Sequence, residues 1–148
     1  MLKKISMILS GMVLLLSLSG CNSSKAYTYS VETGDSVKVS LDTSDKYDIT
    51  SDLPFAISCD GTILSQGIFI TSDNYSEYVD VVNADSNATL IDSGSKDGNK
   101  YIFWSYNNAE YNYAILIGDS NTGVVLANNV SEEAAKECFG RITISIAK

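Results

Sequence analysis

Polar and apolar residues alternate along the chain just after its first 26 positions. Residues 27–32 and 36–41 both alternate in this way, and Thr33-Gly34-Asp35 between them is typical of a tight turn. The two segments are therefore predicted to form a β-hairpin. Short strands are also predicted over three further stretches, residues 47–51, 54–58 and 62–70, with a turn at Cys59-Asp60-Gly61 before the last of them.

The period of the pattern changes in residues 72–83. Four apolar residues recur there at intervals of three and four positions: Tyr75, Tyr78, Val79 and Val82. This spacing places all four on one face of a helix. Residues 72–74 offer Ser, Asp and Asn as the N-cap, because each can accept a hydrogen bond from the first turn. The segment is predicted to be a three-turn amphipathic helix.

Four more strands follow, joined by segments rich in turn-forming residues. They are predicted over residues 88–92, 101–106, 111–118 and 123–127. Because residues 95–99, 107–110 and 119–122 favour tight turns, consecutive strands should form an antiparallel meander. Ser131 is then expected to cap a short helix that runs through Phe139 and stops at Gly140, and residues 141–146 alternate as a last strand.

Both faces of the strand over residues 101–106 are apolar. Tyr101 and Phe103 point to one side, while Ile102, Trp104 and Tyr106 point to the other. A sheet with one face in water has polar residues on that face, so apolar residues on both faces indicate that each face of this sheet is covered. The pattern favours an α+β domain with a central antiparallel β-sheet and two short helices, and an all-β sandwich or barrel is the alternative.

The N-terminus has the features of an export signal. Lys3 and Lys4 precede an apolar run over residues 5–18, which is too short to span a bilayer. The run ends in Leu18-Ser19-Gly20-Cys21, which resembles the lipobox of bacterial lipoproteins. The resemblance implies that residues 1–20 are removed and that Cys21 becomes the lipid-modified first residue. The protein is then expected to lie on the extracytoplasmic side of a cell membrane, held by its acyl chains.

The lipobox sets the predicted domain organisation. Residues 1–20 are the signal peptide, residues 21–26 a short lipid-anchored linker and residues 27–148 a single globular domain. The element order of about the last hundred residues resembles the PsbP-like group of small α/β/α sandwich proteins. Many members of that group are lipid-anchored or secreted. The resemblance implies a layered α+β fold and no particular activity.

Charge and composition narrow the function classes. The net charge is −8, and removal of Lys3 and Lys4 would take it to −10. Nucleic acid and anionic lipid are therefore not expected as partners, because both are bound through basic patches. The chain contains no His, which excludes the Ser-His and Cys-His nucleophile arrangements and the usual zinc sites.

Two cysteines remain in the predicted domain, Cys59 in a turn and Cys138 on the last helix. In an exported chain they form either a disulfide, which stabilises by closing a long loop, or two separate, partly buried thiols. The sequence leaves both alternatives open. A redox motif is not indicated, because neither cysteine has a second one three positions away.

The acidic residues of the turns give no recognisable ligand or catalytic pattern. No window has the oxygen spacing of an EF-hand, and no Gly-x-Ser-x-Gly nucleophile elbow occurs. Glu132, Glu133 and Glu137 are expected to be surface residues of the last helix, where acidic side chains in the first turn interact favourably with the helix dipole. The sequence thus predicts neither a metal nor a cofactor, and it favours a non-catalytic protein.

Aromatic residues cluster on the predicted meander. They are Tyr101, Trp104, Tyr106, Tyr111 and Tyr113. Exposed together, they form a face that stacks on sugars or anchors a protein; buried, they fill the layers between sheet and helices. The hypothesis that follows is a cell-envelope lipoprotein that binds a protein or a glycan through this face or its loops. A small hydrolase acting on envelope polymers, or a structural or assembly subunit, is the alternative.

Overall fold

The computed structural model describes residues 11–13 and 23–148. The predicted lipobox, with Cys21, lies outside the described residues. None of the helices in the described part of the chain has the length and apolar character needed to cross a bilayer.

The described chain is mostly β-sheet, with two α-helices and one short 3₁₀ turn. The helices are α1 (Ser72–Ala84) and α2 (Glu132–Arg141), and the 3₁₀ turn covers Ser44–Lys46. The strands are β1 (Gly11–Val13), β2 (Ser24–Ser30), β3 (Ser36–Asp42), β4 (Tyr47–Ile49), β5 (Phe55–Cys59), β6 (Thr62–Thr71), β7 (Ala88–Lys96), β8 (Asn99–Tyr106), β9 (Glu110–Leu116), β10 (Thr122–Asn128) and β11 (Ile142–Ile146).

The strands form two antiparallel sheets. The large sheet has the order β4-β5-β6-β10-β9-β8-β7, and the small sheet has the order β1-β2-β3-β11. The predicted meander is confirmed, because β7, β8, β9 and β10 are neighbours in chain order. The predicted hairpin is also confirmed as β2 and β3, which pair from Ser24 opposite Asp42 to Ser30 opposite Ser36.

Several predicted boundaries near the first hairpin were wrong. β2 begins at Ser24 and not at residue 27, because Ser24, Lys25 and Ala26 pair with the end of β3. Half of the predicted linker therefore belongs to the sheet. Cys59 is the last residue of β5, opposite Tyr47, and only the two residues after it form the turn.

Other boundaries differ at helix and turn positions. α1 is capped by Thr71, whose side chain accepts from the Asn74 N–H while the Asn74 side chain bonds back to the Thr71 backbone. β7 and β8 extend until only Asp97-Gly98 remains between them, and both of these residues have positive φ. Gly140 lies within α2 and does not end it.

The large sheet is covered on both faces, as the apolar strand over residues 101–106 predicted. On one face a buried cluster joins it to the small sheet and α2; its fully buried members include Tyr29, Leu41, Phe55, Phe69, Phe103 and Ile142. On the other face α1 packs on a second cluster: Ile70, Tyr75, Tyr78, Val82, Ile102, Trp104, Ala114 and Val125. Burying apolar area on both sides supplies the main favourable term in folding.

Arg141 connects the end of α2 to the 3₁₀ turn. Its Nη1 donates to the Ser44 carbonyl oxygen at 3.0 Å, and its Nη2 to Asp45 Oδ2 at 2.8 Å. The guanidinium lies 4.0 Å from the centre of the Tyr47 ring, and Nε donates to Glu137 at 3.0 Å. Only 12% of this side chain is exposed, although the Asp45 and Glu137 carboxylates with which it pairs remain largely in water.

Candidate functional site: the groove beside the sheet edge

An open groove lies between α1 and the last two strands of the large sheet. Its volume is about 480 Å³. From α1 it is lined by Tyr75, Ser76, Val79 and Asp80, and from the sheet by Ser93, Gly94, Lys100, Tyr101 and Ile102. We call this the edge groove, because β7 is the terminal strand of its sheet.

The edge groove has an apolar floor and a polar rim. Ile102 and Tyr75 are buried and belong to the cluster under α1, against which Val79 is partly buried. Burial raises the pKa of the Tyr75 hydroxyl. Ser76, Asp80 and other exposed rim residues remain in water. A floor of this kind accepts aliphatic groups, and the rim accepts hydrogen bonds and charge.

On the opposite face of β7, the Tyr101 ring lies across the same strand. A side-chain carbon at Gly94 would come within 3.4 Å of the Tyr101 hydroxyl oxygen, and that hydroxyl donates to Asp92 Oδ2 at 2.9 Å. The ring centre also lies 4.8 Å from that of Phe139 on α2. Burial, and then the hydrogen bond to Asp92, raise the pKa of Tyr101. The aromatic ring is therefore fixed at the sheet edge.

Two of the other depressions in the described part of the chain are of similar size to the edge groove. One of about 530 Å³ lies near the start of β7, where Ser86, Asn87 and Tyr106 contribute to its walls. The other, of about 330 Å³, includes Ile63 and Glu110. The first continues the open surface along β7, so depressions flank this strand near both of its ends.

The five aromatic residues predicted as one binding face are divided between the two faces of the sheet. Tyr101, Tyr111 and Tyr113 contact the cluster shared with the small sheet, while Trp104 belongs to the cluster under α1. Tyr106 follows Trp104 by two positions in β8 and therefore points to the same side as Trp104. The five side chains do not form a single surface.

Two of the five are interior residues. Trp104 is 1% exposed and lies against Tyr78, and Tyr113 is 4% exposed. The Tyr113 ring is stacked between Phe103 and Phe139, with ring centres 4.1 and 4.0 Å away. Both residues therefore fill the layers between the sheet and the helices, which was the second of the two alternatives that the sequence left open.

The other three reach the surface in part. Tyr101 is partly exposed at the sheet edge, with its ring on the face opposite the edge groove, and Tyr106 lines the depression near the start of β7. Tyr111 donates from its hydroxyl to the Asn108 carbonyl oxygen at 3.2 Å. Tyr101 and Tyr106 are thus the members of the predicted face that remain at open surfaces.

A polar cluster joins the turn after β2 to the start of β10. The Thr122 hydroxyl donates to Asp35 Oδ2 at 2.7 Å and also lies 2.5 Å from the Thr33 hydroxyl oxygen. Thr122 is fully buried, so its hydroxyl is closed to a substrate. The cluster connects the two sheets. Within residues 23–148, no group of three Cys, Asp or Glu side chains is placed to hold a metal ion.

Cys59 and Cys138 are free thiols in the structure. Cys138 is buried in the cluster between the sheets, and Cys59 is partly exposed at the end of β5, where its sulfur lies 3.5 Å from the Asp45 carbonyl oxygen. Burial raises the pKa of the Cys138 thiol. The sequence left open a disulfide or two separate thiols, and the number of reactive thiols distinguishes these two alternatives.

We expect a thiol reagent at pH 8 to modify Cys59 quickly in the folded protein and Cys138 only after unfolding. The reason is that the reactive species is the thiolate, which burial suppresses at Cys138. The measurement is reagent uptake by a Cys21→Ala variant, before and after addition of urea. Protein isolated without reductant that takes up no reagent even in urea contains the disulfide.

Most residues of the edge groove were not predicted as site residues. Val79 was assigned to the buried helix face, and Ser76 and Asp80 have no sequence signal beyond their helical period. Gly94 and Lys100 lie in β7 and β8 near the turn that joins these strands. They line the groove because β7 is at the edge of the sheet, which the sequence does not show.

Comparison with known proteins gives no relative from which a function can be carried over. No protein-family model, curated protein or solved structure matches this chain.

Proposed function

We propose that this chain is a cell-envelope lipoprotein, anchored through Cys21, whose folded domain binds a partner without catalysis. The observation that supports binding is the edge groove, where an apolar floor and a polar rim lie beside an open strand. Recognition sites commonly combine such a floor with a few polar groups. The lipobox resemblance supports the anchor.

The start of β2 supports a position close to the membrane. Ser24 already pairs with Asp42, and the Ser23 carbonyl oxygen accepts from the Thr43 N–H at 2.8 Å. The chain between Cys21 and Ser24 therefore spans at most about 10 Å, for three residues at ~3.4 Å each. A partner of the mature domain would be met near the lipid surface.

Two carboxyl groups beside the 3₁₀ turn are unsuited to act as the general acid of a hydrolase. Hydrogen bonds from Ser44 lower the pKa of Asp42, and the hydrogen bond from Lys25, 2.7 Å away, lowers that of Asp48. A general acid for glycoside cleavage needs the opposite shift. Both carboxylates are used to hold the loops around the 3₁₀ turn.

The binding function is tested by thermal unfolding of the detergent-solubilised protein with cell-wall glycans, extended peptides, divalent cations and small metabolites. A ligand at a hundred times its dissociation constant adds about 2.7 kcal/mol and raises the midpoint by several degrees. We expect one class to do so, and we expect Ser76→Lys to abolish the shift by filling the groove. The control is Ser145→Lys, an exposed position on β11.

Two results would count against the proposal. A shift that survives Ser76→Lys places the ligand outside the edge groove. A protein that responds to none of the classes, while keeping a cooperative transition, favours the structural or assembly role instead.

A further inference from the structure

β7 forms one of the two edges of the large sheet, and β4 forms the other. β7 is nine residues long and pairs only with β8 among the described strands. The pairing is irregular between Leu90 and Asp92, but the five residues from Asp92 to Lys96 are regularly paired with β8. Backbone N–H and C=O groups on the outer side of such a strand can pair with another extended chain. The Ser93 N–H already donates to Asp92 Oδ1 at 2.8 Å, so an added strand would pair with the remaining groups or replace that bond.

The two faces of this edge differ in chemistry. On the α1 side lies the edge groove, with Val79 and Ile102 as apolar surface and Asp80 at the rim. On the other side the Tyr101 ring crosses Gly94 and is held by Asp92. Alternate side chains of an added strand would therefore enter the groove and cover the ring in turn.

Charge indicates which side chains suit the groove. α1 carries three acidic residues, Asp73, Glu77 and Asp80, and no basic residue. A Lys or Arg can lay its aliphatic stem over Val79 and Ile102 while its charged end reaches Asp80. Lys100 lines the opposite wall, so the incoming charge belongs on the helix side.

We propose that β7 accepts an extended, basic segment of a partner protein as an eighth strand of the large sheet. The inference rests on the proposed binding function and names the partner's chemistry: basic residues at alternate positions, separated by apolar ones that face Tyr101. A second copy of this chain fits less well. Symmetric pairing centred on β7 would place Asp92 opposite Asp92, and like charges directly opposite destabilise a strand pair.

The test uses fluorescein-labelled Lys-Val-Lys-Val-Lys-Val and the detergent-solubilised protein, with binding followed by fluorescence anisotropy. A second peptide of the same sequence carries N-methyl groups on two adjacent residues. Because adjacent N–H groups of a strand point to opposite edges, one methyl group blocks each edge of the peptide, and the charge is unchanged. We expect the first peptide to bind with a dissociation constant in the micromolar range, and N-methylation to weaken it about tenfold through lost backbone hydrogen bonds.

The matched variants are Asp80→Lys and Glu77→Lys. Both reverse an exposed carboxylate on α1, but only Asp80 lines the groove. Asp80→Lys is expected to weaken binding about tenfold, and Glu77→Lys no more than about threefold. Equal losses from the two variants, or equal binding of the two peptides, would reduce the effect to general attraction between opposite charges and would overturn the proposal.

Two further outcomes would also overturn it. In the first, the unmethylated peptide does not bind even at millimolar concentration. In the second, the protein is a dimer that this peptide dissociates, which would show that a second copy of the chain pairs with β7. If glycans or metabolites give a thermal shift that Ser76→Lys abolishes while the peptide does not bind, the binding function stands and only the strand-addition inference fails.

Discussion

Replacing Gly67 with alanine is expected to lower the free energy of unfolding by about 3 kcal/mol, the upper part of the usual range for overfilling a core. Gly67 lies in the middle of β6, opposite Phe55 of β5 and Leu126 of β10. The Phe55 ring occupies the space that a side chain would need. A carbon added at Gly67 would lie 2.0 Å from Phe55 Cζ, far inside van der Waals contact.

The Phe55 ring has no space into which it can move. It is fully buried, with the Tyr29 ring centre 6.4 Å away and that of Phe69 6.3 Å away. Relief must therefore come from displacement of β5 or β6, which would disturb the cluster that joins the two sheets. The melting temperature should fall by about 10 °C for a domain of this size.

Urea unfolding followed by circular dichroism measures the effect, with Gly140→Ala as the matched control. Gly140 is an exposed residue of α2 with no neighbour within 4 Å of an added carbon. Its replacement should be neutral or stabilise the protein by up to about 1 kcal/mol, because alanine favours helix. Equal stability of the two variants would show that the packing of Phe55 against Gly67 does not exist in solution.

A double variant tests the cause directly. Phe55→Leu removes the ring atoms that approach Gly67, so it should recover about 1 kcal/mol when added to Gly67→Ala, although it destabilises the original protein by itself. If the two changes simply add, the clash with the ring is not the reason for the loss.

Local periodicity was sufficient to predict α1 and most of the strands. Tyr75, Tyr78 and Val82 are buried against the sheet, as their spacing indicated. The exact cap was missed, because Thr71 ends β6 as well as starting the helix. Boundary residues of this kind satisfy two patterns at once, and only the tertiary structure decides between them.

The proposed binding face of five aromatic residues could have been rejected from the sequence itself. Trp104 and Tyr101 are separated by an odd number of positions on one strand, so they cannot share a face. Parity alone therefore excludes a single ladder of five. Which of the two faces becomes more exposed depends on α1 and α2 packing across the sheet, and this is not encoded locally.

Gly67 and the edge groove lie beyond such reasoning. The role of Gly67 comes from Phe55, which is placed opposite it by the register of β5 and β6. The groove lies where Ser76 and Asp80 of α1 face exposed residues of β7 and β8 across open space. Both depend on how the elements pack, and a single sequence carries no record of that.

The Cys21→Ala variant is expected to lose lipid attachment completely. Two or more acyl chains, at roughly 0.8 kcal/mol per buried methylene, hold a protein stably on a membrane, and a side chain without sulfur cannot receive the diacylglyceryl group. The measurement is incorporation of an alkyne-labelled fatty acid in growing cells, followed by mass determination of the mature N-terminus. Wild-type protein should carry the label and begin at Cys21.

Cys59→Ala is the matched control, because it removes a thiol from the folded domain and leaves the lipobox intact. It should retain the label and sediment with membranes. Sedimentation alone is not decisive for Cys21→Ala, since an uncleaved precursor keeps the apolar run over residues 5–18 and can stay in the bilayer through it. Label on the Cys21→Ala protein, or a wild-type N-terminus at any residue other than Cys21, would disprove the lipoprotein proposal. It would not affect the proposed binding of an extended segment to β7, which the peptide-binding experiment tests separately.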